Sequence, residues 1–229
     1  MKSTGRNYTL YLGQVQDASL FSFEIPPNGC FTRHNTSDSA KFFDCQLATN
    51  GGFFSFSGGC VGNVVINGTV VNWDTQNKAA FGILQNKSTL LGYVSNSSDY
   101  KFKTLLSGNG WLVRNGESYV KHSREFAPSG NNSFVRLKAP RTAVGVMEDG
   151  SIMLAVVDGI EVDKLGLDLF EFAEVLIEKG VTQAINLDGG GSTDAVLNGK
   201  VWSRPTCTDY AQPLCERPVT SITCIRYPN

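Results

Sequence analysis

The sequence has 229 residues, of which 41% are hydrophobic, and its formal net charge is −1. This apolar content is enough for a sizeable core, and the length fits a single domain over residues 1–229. The near-zero charge provides no basic surface for nucleic acid or for an anionic membrane. No run of about 18 apolar residues is present, so no membrane-spanning segment is predicted in this chain.

The first part of the chain contains short segments of weakly alternating polarity. Residues 8–12 and 21–25 are predicted to be strands, and Pro26-Pro27 ends the second of them. The polar residues 35–39 are predicted to form a loop. Residues 42–49 are predicted to be the next strand, which ends at Asn50-Gly51-Gly52.

Four Asn-Gly or Asp-Gly pairs follow, each between two apolar segments: Asn67-Gly68, Asn115-Gly116, Asp149-Gly150 and Asn198-Gly199. Such pairs favour type I′ turns, whose twist matches that of paired strands. They predict hairpins of residues 64–66 with 70–71, 111–114 with 118–120, 142–147 with 152–157, and 195–197 with 201–202. The recurrence of this signal predicts a largely antiparallel β protein.

One helix is predicted between two of these strands. Asp168 can cap its amino terminus, Glu171 stands where a capping box requires it, and Gly180 can end it. Strands ending near residues 157 and 187 flank the helix, so we predict a βαβ unit with parallel strands and a right-handed crossover. The predicted fold class is therefore α+β, a single β-rich domain of mostly antiparallel hairpins with one βαβ unit.

This βαβ unit would bring two carboxylates to the same rim of a sheet, where ligands commonly bind. Asp158 and Asp188 each directly follow the end of one of the two strands. Asp188 is followed by three glycines, 189 to 191, and by Ser192. Adjacent amides without side chains can form a concave nest that binds an anion. The alternative is a mobile turn with a solvated carboxylate.

Several other chemistries do not fit the residues around Asp188. Ser192 is followed by Thr193, so the nucleophile elbow of a serine hydrolase is absent. No clustered metal ligands and no phosphate-binding P-loop occur, so neither a metal nor a cofactor is predicted. Carboxylate chemistry remains, and glycoside cleavage uses carboxylates as nucleophile or as base for water.

Three further features could support such chemistry. Arg141 begins a strand and could grip phosphate with its planar fork, although a surface ion pair is the alternative. The Asn50 amide could bond sugar hydroxyls, since the two glycines after it allow a ligand to approach closely. Phe53 and Phe54 could form a platform for a sugar ring, or they could be core aromatics after a turn.

The cysteines and glycosylation sequons predict the secretory pathway. The six cysteines include no Cys-x-x-Cys pair and are expected to form three disulfides, at least one tying the amino-terminal third to the tail. Because the first residues lack the apolar core of a signal peptide, we expect a chain trimmed of its leader. Six Asn-x-Ser/Thr sequons begin at Asn7, Asn35, Asn67, Asn86, Asn96 and Asn131.

Taken in order, five segments of the chain resemble the phosphodiester glycosidase family: Asn50-Gly51-Gly52-Phe53-Phe54, Gly62-Asn63-Val64-Val65, Leu105-Leu106-Ser107-Gly108, Arg141-Thr142-Ala143-Val144-Gly145 and residues 186–192. The resemblance extends from about Cys30 to Cys224. It implies hydrolysis of the bond between C1 of N-acetylglucosamine and phosphate, exposing mannose 6-phosphate on the N-glycans of glycoproteins. It also implies a Golgi or secreted location.

The resemblance further implies three disulfides: Cys30–Cys60, Cys45–Cys224 and Cys207–Cys215. It implies catalytic roles for Asp188, Arg141 and Asn50, and substrate contacts from Gly51, Gly52, Ser107, Thr142, Asp158, Gly189, Gly190, Gly191 and Ser192. Three alternatives stay open: a phosphodiester glycosidase for another sugar phosphate, a secreted module that binds sugar phosphates without cleaving them, and a structural extracellular domain.

Overall fold

Three antiparallel β-sheets and three α-helices make up the computed structural model, which describes residues 7–126, 133–209 and 215–227. The strands are β1 (Leu10–Val15), β2 (Phe21–Glu24), β3 (Leu47–Asn50), β4 (Val64–Ile66), β5 (Thr69–Asn72), β6 (Ala79–Leu84), β7 (Thr89–Tyr93), β8 (Phe102–Ser107), β9 (Trp111–Arg114), β10 (Glu117–Ser118), β11 (Arg141–Met147), β12 (Ile152–Val157), β13 (Val181–Asn186), β14 (Ala195–Leu197), β15 (Lys200–Val201) and β16 (Ile222–Ile225). The helices are α1 (Thr36–Phe42), α2 (Ser133–Arg136) and α3 (Leu169–Glu178). This confirms the predicted α+β class.

The central sheet has six strands in the order β1-β12-β11-β13-β9-β10. β11 pairs antiparallel with both β12 and β13, so β12 and β13 run parallel to each other. The predicted parallel strands are therefore present, but they are not neighbours. The hairpin partner of β12 lies between them, because the turn at Asp149-Gly150 pairs β11 with β12 locally, and the chain passes over β11 to reach β13.

Both faces of the central sheet are buried because apolar residues occupy both sets of alternating positions. On β12, Met153 and Ala155 belong to the core cluster that contains α3, whereas Ile152 and Leu154 belong to a second cluster on the opposite face. Fully burying one such large aliphatic side chain contributes about 1.5–3 kcal/mol. The two clusters fix the central sheet between α3 and the other two sheets.

The predicted capping box fixes the start of α3. Asp168 accepts a hydrogen bond from the Glu171 amide, and the Glu171 carboxylate accepts one from the Asp168 amide, both at 3.0 Å. Gly180, with φ of 84°, follows its end in the left-handed conformation. α3 has ten residues and is the longest of the described helices. None of these helices is long and apolar enough to cross a membrane.

The other two sheets have the strand orders β15-β14-β3-β16-β2 and β5-β4-β8-β6-β7. They meet the central sheet around three buried aromatic rings, Phe21, Phe23 and Phe81, in edge-to-face contact. Such contacts stabilise a core beyond the area that they bury. This packing brings the ends of β3 and β8 towards one edge of the central sheet.

All four predicted hairpins are present as antiparallel pairs. At Asn67-Gly68, Asn115-Gly116 and Asn198-Gly199, both residues have positive φ, as a type I′ turn requires. At Asp149-Gly150 only the glycine does. The Met147 amide there donates to the Ser151 carbonyl, which closes a longer loop.

The predictions for residues 35–39 and 42–49 were wrong over most of their length. Residues 36–42 form α1, and β3 begins only at Leu47. The Glu216 carboxylate accepts hydrogen bonds from the Ser37 amide and hydroxyl at 2.8 and 2.6 Å, which satisfies the helix amino terminus. This partner lies 179 residues away in the sequence. A local pattern cannot reveal such a cap.

The structure contains three disulfides, Cys30–Cys60, Cys45–Cys224 and Cys207–Cys215, which are the pairs that the family resemblance implies. Such bonds form in oxidising compartments, in agreement with the predicted secretory pathway. The sequon asparagines at positions 7, 67, 86 and 96 are exposed, and the one at 35 is half-buried. Asn131 lies outside the described residues.

Candidate functional site

Three strand ends meet at one edge of the central sheet. Arg141 begins β11, while Asp158 and Asp188 follow the carboxyl ends of β12 and β13. They share this edge because β11 runs antiparallel to both of its neighbours. The sequence predicted this arrangement for the two acids.

Asn50 joins this edge to the end of β3. Its Nδ2 donates to the Asp188 carbonyl at 2.7 Å, and its Oδ1 accepts from the Thr142 hydroxyl at 2.7 Å and from the Asp194 amide at 3.2 Å. The Asp188 amide in turn donates to the Gly51 carbonyl at 3.1 Å. The Asn50 side chain is completely buried and its amide is bonded to the protein, an arrangement that positions Asp188 and differs from the open sugar contact that the sequence predicted.

Gly51, Gly52 and Ser107 lie in the packed layer around Asn50. A Cβ at Gly51 would lie 2.5 Å from the Ser221 hydroxyl, and one at Gly52 would lie 3.1 Å from the Ser107 carbonyl. The Ser107 hydroxyl is buried and accepts from the Asn63 amide at 2.9 Å. These residues fix the backbone near Asp188, and the glycines are needed because neighbouring chains approach closely.

Like Asp158, Asp188 is a partly exposed acid at this edge. Its Oδ1 accepts from the Gly189 amide at 2.9 Å. The surrounding protein removes water from the carboxylate and thereby raises the pKa of Asp188 to about 6. The nearby Ser192 hydroxyl and the Arg217 guanidinium oppose the rise in this pKa, whereas the negative charge of Glu161 adds to it.

The three glycines do not form the predicted open nest. The Gly190 amide donates to the Pro140 carbonyl at 2.9 Å, and the Ser192 amide donates to the Gly189 carbonyl at 3.1 Å within a 3₁₀ turn. At Gly190, where φ is 58°, a Cβ would collide with the Glu161 carboxylate. At the next glycine a Cβ would lie 2.7 Å from Nη2 of Arg217. The glycines thus let two charged side chains approach the backbone.

Glu161 and Arg217 are the site residues that the sequence analysis missed. Glu161 raises the pKa of both Arg141 and Asp188, so its charge acts on both groups. Arg217 holds Asp209 through an Nε–Oδ2 ion pair of 2.7 Å, and its charge lowers the pKa of Asp188. Glu161 lies three residues after Asp158, a predicted rim acid, and this spacing could have indicated that Glu161 lies near the site. Arg217 has no such signal beyond its proximity to a cysteine.

Arg141 does not have the geometry of the predicted phosphate clamp. Its side chain is 1% exposed, its Nε donates to the Leu167 carbonyl at 3.1 Å, and its Nη2 donates to the carbonyls of Phe134 and Leu137. Burial lowers the pKa of Arg141 to about 10, although the negative charge of Glu161 opposes this change. A guanidinium that holds three carbonyls cannot offer two parallel donors to a phosphate.

Asp158 lies at the same edge but lines a different cavity. Its carboxylate accepts from the Tyr11 hydroxyl at 2.8 Å and from the Arg204 amide at 3.0 Å. Burial, together with this carboxylate, raises the pKa of Tyr11 to about 12. The cavity has a volume of about 450 Å³, and its lining includes Lys164 but not Asp188.

Asp194 is a buried acid that no sequence signal singled out. Neither of its carboxylate oxygens lies within good hydrogen-bond geometry of a described donor, and the buried hydroxyl of Thr193 also has no partner among the described residues. Burial raises the pKa of Asp194 well above its ordinary value, and the charge of Glu216 raises it further. Burial behind Asn50 thus favours the neutral form of this acid.

Of the predicted aromatic platform, Phe53 and Phe54 are only partly exposed. Phe54 packs against the small core around the Cys45–Cys224 disulfide. The ring that projects into solvent is Phe56, which is 64% exposed and lies 5.5 Å from that of Phe54.

Comparisons with known proteins give one consistent result. The profile of the family described as phosphodiester glycosidase matches residues 43–226. The human N-acetylglucosamine-1-phosphodiester alpha-N-acetylglucosaminidase is 38% identical over 93% of this chain and 45% of its own length, and the mouse protein is 40% identical over 98% and 47%. The chain thus spans about half the length of these curated relatives.

A solved structure agrees with these sequence matches. The catalytic domain of the zebrafish enzyme of the same name, described as auto-inhibited by its pro-peptide, superposes with a TM-score of 0.81 at 29% identity. The match covers 99% of this chain and 86% of the zebrafish chain.

Proposed function

The chain belongs to the phosphodiester glycosidase family, and from this premise we propose that it hydrolyses the bond between C1 of N-acetylglucosamine and a phosphate oxygen. The names of the relatives give an N-acetylglucosamine 1-phosphodiester with an α linkage, and we take its other half to be mannose on glycoproteins, as the resemblance of the sequence motifs implies. The reaction would release N-acetylglucosamine and expose mannose 6-phosphate in the Golgi lumen or outside the cell. The whole chain would then act as one catalytic domain.

Asp188 carries this proposal because it is a partly exposed carboxylate with a pKa raised to about 6, held in place through its own backbone. We assign it to C1, either as nucleophile or as base for the attacking water. The C1–O bond breaks, the oxygen of water joins C1, and the phosphate leaves as a monoester that keeps the bridging oxygen. We assign Ser192 to lowering the pKa of Asp188. We assign Asp158 to contacting the sugar from the neighbouring cavity that Asp158 lines.

The leaving group explains why the site can lack a strong proton donor. A phosphomonoester has a second pKa near 6, so it departs without the full assistance of a general acid. Cationic donors that meet the growing negative charge on phosphate matter more. Arg217 supplies such a charge beside Asp188, whereas Arg141 stabilises the backbone of the site.

Hydrolysis of N-acetylglucosamine-α-phosphomannose in water enriched in oxygen-18 tests the proposed reaction. We expect the label in the hydroxyl at C1 of the released sugar and none in mannose 6-phosphate, because the C1–O bond breaks. Label in the phosphate would instead show a phosphodiesterase that attacks phosphorus. Release of neither product, with binding retained, would favour a non-catalytic sugar-phosphate module.

The rate should depend on pH through Asp188. Only the ionised carboxylate can act as nucleophile or base, so kcat/KM should fall tenfold for each pH unit well below 6 and level off above it. A pH profile measured from 4.5 to 8 with the mannosyl diester checks this. A profile that stays nearly level down to about pH 5, as an ordinary aspartate pKa of about 4 would give, would contradict the role given to burial.

A further inference from the structure

A cavity of about 510 Å³ lies next to the Asp188 edge, and none of the roles above uses its two exposed aromatic rings. We call it the Arg33–Arg217 cavity; it is lined by Phe31, Thr32, Arg33, Phe56, Asp209, Arg217 and Pro218. We propose that this cavity binds the leaving half of the substrate, a phosphorylated hexose. The inference rests on the proposed function and names the residues that would recognise its second product.

Two guanidinium groups give the cavity its charge. Arg217 uses Nε for its ion pair with Asp209, and within the described residues its two terminal nitrogens make no hydrogen bond and can meet a ligand. Arg33 makes no hydrogen bond or ion pair in the described part of the chain, and its guanidinium lies 5.6 Å from the ring centre of Phe54 and 5.8 Å from that of Phe56. With one carboxylate against two guanidinium groups, the lining has a net positive charge that suits a phosphate.

Two exposed phenylalanines give the cavity an apolar surface. Phe31 is 83% exposed and Phe56 is 64% exposed; both line the same cavity, and an exposed apolar patch that is rimmed by polar residues is typical of a binding site. The Cys30–Cys60 disulfide ties the two loops that carry these rings. A pyranose presents an apolar face of C–H groups that an aromatic ring can cover, while its hydroxyls stay in water. The cavity volume is also in the range of small-molecule sites.

Arg217 connects this cavity to the reacting carboxylate. The glycine at position 191 lets Nη2 of Arg217 approach the turn that follows Asp188, and the charge of Arg217 lowers the pKa of that acid. A phosphate held by Arg217 would therefore lie between the sugar that Asp188 attacks and the hexose on Phe56. This is the order of groups in a sugar–phosphate–hexose diester.

The charge change during the reaction favours this placement. The phosphodiester carries one negative charge, whereas the departing monoester carries about 1.5–2 at neutral pH. Two guanidinium groups attract the products and the transition state more strongly than the ground state, and only such differential binding accelerates the chemical step. The Arg33–Arg217 cavity would thus contribute to rate as well as to recognition.

The test compares the mannosyl diester with the methyl diester of N-acetylglucosamine α-phosphate. Phe56→Ala should lower the ratio of kcat/KM on the mannosyl diester to that on the methyl diester by roughly tenfold, since only the first substrate has a hexose to stack. Arg33→Ala should raise the inhibition constant of mannose 6-phosphate by roughly tenfold or more, because one charge-assisted contact is lost.

Arg114→Ala is the matched control. The Arg114 guanidinium also lies over aromatic rings, those of Trp111 and Tyr119, at 5.3 and 5.1 Å from their centres. In the strand register, Arg114 lies opposite Gln183, towards the end of β13 that is far from Asp188. Its removal should change neither the ratio nor the inhibition constant. If Arg33→Ala and Phe56→Ala behave like this control while the protein hydrolyses the mannosyl diester, the cavity proposal is wrong.

Direct binding separates this proposal from the proposed reaction. Calorimetric titration of the protein with mannose 6-phosphate should show binding that Arg33→Ala weakens about as much as it weakens inhibition. The same result in a protein that hydrolyses neither diester would support the cavity and refute the reaction. Binding of mannose 6-phosphate that is equal in Arg33→Ala and Arg114→Ala would refute the cavity whether or not hydrolysis occurs.

Discussion

Asp188→Asn is expected to lower kcat on the mannosyl diester by at least about 10³-fold and to leave the protein folded. The amide cannot attack C1 or take a proton from water. The contacts that Asp188 makes to Asn50 and Gly51 use its backbone carbonyl and amide, and these stay. The new side-chain oxygen can still accept from the Gly189 amide.

Stability should not decrease at neutral pH in this variant. The pKa of Asp188 is raised from 3.8 to about 6 on folding, so the folded state binds its proton more tightly than the unfolded state. Asp188 therefore destabilises the native protein increasingly as the pH rises from about 4 to 6. An uncharged asparagine removes this penalty, and the Tm at pH 7 should be equal to or higher than that of the native protein.

Asp99→Asn provides the control, because it removes one negative charge from an exposed position in the loop between β7 and β8. Its kcat should be native. Both variants should be compared by steady-state kinetics and by thermal unfolding followed by circular dichroism. An Asp188→Asn protein with native kcat would remove this acid from the mechanism, and one with a strongly reduced Tm would show that the loss was one of folding.

The sequence predicted the parts of the fold and site that depend on local signals. Asn-Gly turns set the hairpins, and Asp168 with Glu171 set the start of α3. Strand direction then follows from chain connectivity, so the common edge of Asp158 and Asp188 could be predicted without coordinates, whereas the order of the strands could not. Local sequence determines where a strand ends, and the residue that follows must then lie at that edge of the sheet.

What the sequence could not predict depends on contacts between distant segments. The position of Arg141 at the start of a strand does not reveal that its guanidinium reaches the carbonyls of Leu167 and Leu137. Nor does a glycine run reveal whether its amides face a ligand or whether side chains such as Glu161 and Arg217 press against it. The local sequence pattern predicts the face of a strand or helix from which a side chain projects. The groups that the polar end of that side chain contacts depend on tertiary packing.

Arg141→Met is expected to reduce stability strongly because a buried guanidinium loses its hydrogen bonds to the carbonyls of Phe134, Leu137 and Leu167. Each hydrogen bond from a charged donor contributes about 1.5–3 kcal/mol. The combined loss should lower the Tm by roughly 10 °C or more for a chain of this size. Thermal unfolding at several denaturant concentrations measures the change.

Arg217→Met is the matched comparison, since it also replaces a guanidinium near Asp188 but, in the part of the chain that the structure describes, breaks a single ion pair at a half-buried position. It should leave the Tm within about 2–4 °C of native. Its kcat on the mannosyl diester should fall by about 10²-fold or more, as expected when a charge that stabilises the departing phosphate is removed. At a temperature where Arg141→Met is still folded, that variant should keep the greater part of its kcat. If Arg141→Met instead has a native Tm and loses affinity for phosphate, then Arg141 is the phosphate clamp that its position in the sequence predicts.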